Sequence, residues 1–80
     1  MHELGILYKV VERVLEAVND HALTEVEAIV LAIGEGSGIV PSYLHACFPA
    51  AIDGTMLENT KLEIEVTKSD DFMVKEIRAR

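Results

Sequence analysis

The sequence predicts an α+β fold: a two-layer domain in which a three-stranded mixed sheet carries two helices on one face, in the order helix, strand, helix, strand, strand. Three observations predict it. Apolar residues near the start recur at three- and four-residue steps, residues 28–33 form an apolar run, and residues 61–66 alternate strictly.

The first element spans residue 4 to about residue 22. Leu7, Val10, Val11, Val14, Leu15 and Val18 form one stripe, while Lys9, Glu12, Arg13 and Glu16 fill the opposite side. Asn19, Asp20 and His21 mark its end, and His21 reads as a structural residue where a cation suits the helix dipole. Val26 to Ile33 follows as a strand apolar on both sides, which places it inside the sheet. The run Gly34-Glu35-Gly36-Ser37-Gly38 breaks it, and its glycines read as suppliers of positive φ. A phosphate-binding loop is a poor match there, because no lysine of the P-loop kind follows.

Pro41 suits the first position of a second helix, with Leu44, Phe48, Ala51 and Ile52 as its inner stripe. Pro49 removes a hydrogen bond to the carbonyl of His45 and predicts a kink or break. Gly54 ends the helix. In residues 61–66, Leu62, Ile64 and Val66 face the core, opposite Lys61, Glu63 and Glu65. A polar turn, residues 67–71, leads to a last strand over residues 72–78, and its shortness predicts an antiparallel hairpin. The strand-helix-strand unit before it predicts a parallel, right-handed crossover. Met73 and Ile77 are expected on the face away from the helices.

The 80 residues allow one domain. Half of them are hydrophobic, enough for a core. Fourteen acidic against seven basic residues give a net charge of −7, which opposes nucleic acid and anionic lipid. The single cysteine, Cys47, excludes an internal disulfide and a cysteine-cage zinc site, and points to a reducing, cytoplasmic setting. No signal peptide or membrane-spanning stretch is visible.

Chemistry concentrates at the start. With His2 in second position, the α-amine of Met1, the backbone nitrogen of His2 and its imidazole can close two chelate rings around one metal ion, and Glu3 adds an oxygen beside them. Nitrogen-rich surroundings of this kind suit Ni(II) or Cu(II). Taken alone, the triplet is a weak signal and reads first as a solvated terminus. His45 and Cys47 are two apart on a helix and do not share a face, so Cys47 reads as a small core residue. Asp70 and Asp71 read as a solvated turn. No nucleophile-base constellation supports an enzyme.

The ordered set MHELGI, IGEGSGIVP, a helix carrying Phe48, and GTMLENTKLEIE resembles the hydrogenase nickel-incorporation family HypA/HybF along essentially the whole chain. The resemblance implies a metallochaperone for maturation of nickel enzymes such as nickel-iron hydrogenase. It implies a single nickel-binding domain over residues 1–80 and Ni(II) held by Met1 through its amine, His2 through backbone and imidazole nitrogens, and Glu3 as adjacent ligand or orienting group. A nickel-enzyme precursor or a GTPase accessory protein is the implied partner. The sequence departs from the family at one point. Members insert a zinc domain with two CxxC pairs between the last two strands, where this chain has only the turn 67–71, so no zinc site is expected. The alternative is a HypA-fold interaction or regulatory module that no longer delivers metal, whose open sheet can pair or stack with a partner, including a second copy in a homodimer.

Overall fold

The computed structural model describes residues 2–80. Its elements are α1 (Glu3–Asp20), β1 (Val26–Gly34), a single 3-10 turn (Glu35–Ser37), α2 (Pro41–Ile52), β2 (Lys61–Thr67) and β3 (Phe72–Ala79). The two-layer α+β architecture and the order of elements are those the sequence predicts.

The apolar stripe of α1 is buried at Leu7, Val10, Val11 and Val14, and that of α2 at Leu44, Phe48, Ala51 and Ile52. Both pack with Ile29, Leu31 and Ile33 of β1 in one core. Helix α1 ends at Asp20, slightly earlier than expected. The amides of Ala22 and Leu23 turn back to the carbonyls of Asn19 and Val18, with Ala22 at a φ of 50°. This paired closure satisfies carbonyls that another helical turn would have used. Helix α2 begins at Pro41 as expected but runs unbroken through Pro49. His45 and Pro49 both lie on its exposed side.

The sheet order is β2-β1-β3. Strand β2 pairs parallel with β1, from Ala28 with Lys61 to Gly34 with Thr67. Strand β3 pairs antiparallel with β1, from Val26 with Ala79 to Ile33 with Phe72. The expected β2-β3 hairpin is therefore incorrect: the two strands flank β1, and residues 68–71 cross over its end. Four residues can reach about 13 Å, and crossing one strand needs about 10 Å, so a short link does not demand a hairpin.

The crossing is tight. Gly34 donates its amide to the Asp71 carbonyl (2.7 Å) and Gly36 donates to the Ser69 carbonyl (2.9 Å). A Cβ on Gly34 would overlap the Ser69 carbonyl, so glycine is required there by close approach and not by positive φ. Only Gly38 of this loop has a positive φ, 77°.

Two further expectations are corrected. Ile77 packs against the core, while Met73 is 56% exposed. An extra residue in β3 between the partners of Val30 and Leu31, Lys75, forms a bulge that resets the alternation. Val66 is 58% exposed, although Leu62 and Ile64 of the same strand pack against the core.

The outer face of β1 is closed by side chains of its neighbours. Ala28 and Val30 are each 2% exposed. Their partners are Lys61 and Glu63 on β2, and Arg78 and Glu76 on β3. Arg78 reaches across to Glu63 with two hydrogen bonds (2.9 and 3.3 Å), and Lys75 does the same to Glu65 (2.8 and 3.0 Å). These carboxylates hold the Lys75 ammonium and the Arg78 guanidinium above their ordinary values.

Candidate metal centre at the amino terminus

Of the three residues proposed from sequence, Met1 lies outside the described residues. His2 is the N-cap of α1, exposed, and makes no side-chain capping bond. Its imidazole is thus not committed to starting the helix. Glu3 is the first helical residue and is only 4% exposed.

The Glu3 carboxylate accepts a hydrogen bond from the Val40 amide (3.3 Å). Val40 is the N-cap of α2 and offers no polar side chain to that helix start. The bond therefore joins the beginnings of the two helices. Two positive helix ends favour an anion at this position. Burial pushes the Glu3 carboxyl upward, but the Val40 amide, Glu3's own backbone amide and the positive amino terminus together hold the group below the usual carboxylate range.

The Val40 partner was missed by sequence reasoning. A faint signal existed: Pro41 opens a helix after a residue that cannot cap it, so an acceptor has to come from elsewhere. Beside His2, a shallow groove of about 210 Å³ is lined by His2, Gly5, Ile6 and Lys9.

The remaining candidates separate as expected. His45 is exposed and Cys47 packs against the core. Among the described residues no group of three or more histidines, cysteines and carboxylates is gathered for a metal ion. A larger depression, about 620 Å³, lies near the start of β1 around Glu27, Met56, Asn59 and Glu63. Its carboxylates are paired, Glu27 with Arg80 and Glu63 with Arg78. Among the described residues no helix is long and apolar enough to cross a membrane.

The small two-layer fold thus places an exposed histidine beside an anchored carboxylate. Its family is shown by sequence: the pattern described as hydrogenase/urease nickel incorporation, metallochaperone, hypA, matches residues 1–72. The chain belongs to the HypA family, whose members are maturation factors and not enzymes. It is 42% identical over 66 residues to the hydrogenase maturation factor HypA of Geobacter sp. (strain M21), covering 82% of this chain and 57% of that protein. It is 41% identical over 64 residues to that of Trichodesmium erythraeum (strain IMS101), covering 80% and 54%. The chain thus spans a little over half the length of these relatives. In structure it is similar to the Ni metallochaperone HypA of Helicobacter pylori, with a TM-score of 0.76 over all of this chain and 94% of that one. At 15% identity that likeness is one of fold.

Proposed function

We propose that the chain binds Ni(II) at its amino terminus and serves maturation of nickel enzymes such as nickel-iron hydrogenase. The observation that carries this reading is the division of labour between His2 and Glu3. His2 is exposed and uncapped, whereas the carboxylate next to it is fixed to Val40. A free chelating arm on a fixed base can take up a metal and release it without disturbing the core. The ligands are the Met1 amine and the backbone and imidazole nitrogens of His2. Turned toward Val40, Glu3 acts as the orienting group.

Release is ligand exchange, with a nickel-enzyme precursor or a GTPase accessory protein as acceptor. Binding weakens as pH falls, because protons compete for the amine and the imidazole. We also read residues 67–71 as standing where the family resemblance implies a zinc domain, so that residues 1–80 act as a nickel domain.

The test is a nickel titration of untagged protein against the same protein with one residue added before Met1. The extension should lower affinity at least about a hundredfold, since it removes a direct ligand where loss of an outer partner alone costs about 10- to 100-fold. Equal affinities would eliminate the terminal site.

The second reading is an interaction module that no longer delivers metal. The direct crossing by residues 68–71 favours it, because that point holds no further metal-binding unit. The apolar sheet face it called for is weakened by the inward turn of Ile77. A stable dimer by light scattering, with no nickel affinity at neutral pH, would support it.

A further inference from the structure

Gly5 is a residue that nothing among the described residues requires. It lies in the first turns of α1, on the exposed side, without a positive φ. Among the described residues, and apart from the helix's own backbone, a Cβ placed on it would meet only the Cβ of His2, at an ordinary contact distance of 4.0 Å. Alanine would fit, and glycine weakens a helix relative to alanine. A local rule broken without a structural return is expected at functional positions. What the missing side chain leaves is the groove between His2 and Lys9, with Gly5 and Ile6 as its floor. Lys9 brings one of only seven basic side chains to this spot in a chain of net charge −7.

We propose that Gly5 keeps this groove open as the approach by which an anionic donor of the acceptor, a carboxylate or a thiolate, reaches the metal held by His2, with Lys9 drawing it in. The inference rests on the nickel reading above. The incoming group gives a lone pair to the metal and the terminal nitrogens leave it; the His2 backbone nitrogen regains from solvent the proton it gave up on binding, and the amine and imidazole return to their protonation equilibria with solvent. Gly5 and Lys9 are positioning residues: neither is a ligand.

The test uses Gly5→Leu, which fills the groove, Gly5→Ala, which half fills it while strengthening the helix, and Lys9→Gln. Two readouts are taken. In metal-free protein, diethyl pyrocarbonate labelling of His2 is followed, with His21 and His45, both exposed, as internal references. In nickel-loaded protein, withdrawal of the metal by nitrilotriacetate, an anionic chelator, is compared with withdrawal by neutral phenanthroline.

Gly5→Leu should slow His2 labelling and slow withdrawal about tenfold, within the range over which access alters association rates, at unchanged nickel affinity. Gly5→Ala should melt higher than wild type yet withdraw more slowly. Lys9→Gln should slow nitrilotriacetate about threefold and leave phenanthroline unchanged, since a rim charge acts on encounter with charged partners. Wild-type rates in Gly5→Leu, in a protein that does bind nickel, would overturn the access role alone. Slowed labelling in a protein that binds no nickel would overturn the metal reading, and this use of the groove with it.

Discussion

On the face of β1 that meets the helices, Ile29, Leu31 and Ile33 lie beneath α1 and α2; on the other, Ala28 and Val30 are nearly as deeply buried beneath side chains of the two flanking strands. The first face uses large side chains and a second layer of backbone. The second uses small ones, so that Glu63 and Arg78 can meet above them from strands on either side. A strand can therefore lose contact with water on both sides while only one side belongs to a packed core. Apolarity alone does not distinguish the two.

The contrast can be broken from the core side first. Leu31→Ala should cost about 3–4 kcal/mol, because the void lies among fixed neighbours. Val30→Ala should cost about 1–2 kcal/mol, since flexible side chains above it can settle into the space. Chemical denaturation of both variants checks the pair, and equal losses would mean that the outer face is packed as tightly as the inner one.

Acid sharpens the comparison through Glu3, the one buried charge among the described residues. Its folded carboxyl titrates below the ordinary range. It therefore contributes stability above that range, which is lost as pH falls through the folded value. Glu3→Gln should show less of this acid loss, so that melting curves of the two proteins converge at low pH. A constant gap across the titration would deny Glu3 that role. The smallest effect belongs to the outer ion pairs. A double-mutant cycle on Glu63 and Arg78 should give a weak coupling at low salt that vanishes near 1 M salt, where screening length falls to about 3 Å.

Much of this molecule was legible in its sequence. The stripes of both helices follow from periodicity, because burial itself imposes the period; the start of α2 follows from the fixed φ of Pro41, and the central place of β1 from apolar residues on both its sides. The crossing by residues 68–71 was not legible, since a short polar link fits a hairpin and a crossing alike. Gly34 betrays the difference only once Ser69 is seen against it. The inward turn of Ile77 depends on one bulged residue, Lys75, whose type carries no signal of a bulge. At the candidate site, His2 could be read from its position, but the bond from Val40 to Glu3 joins residues far apart in the chain. No local pattern encodes such a contact.

The central strand has a consequence for how the chain acquires its structure. Both neighbours of β1 follow it in sequence, and Val26 waits for Ala79. During synthesis the six consecutive apolar residues from Ala28 to Ile33 emerge with both edges unpaired. Pairings between such distant residues form slowly, and an exposed apolar strand can meanwhile associate with other chains. Nascent or truncated chains lacking residues 72–79 should thus be the species most prone to aggregate, and the last strand the one that ends the risk.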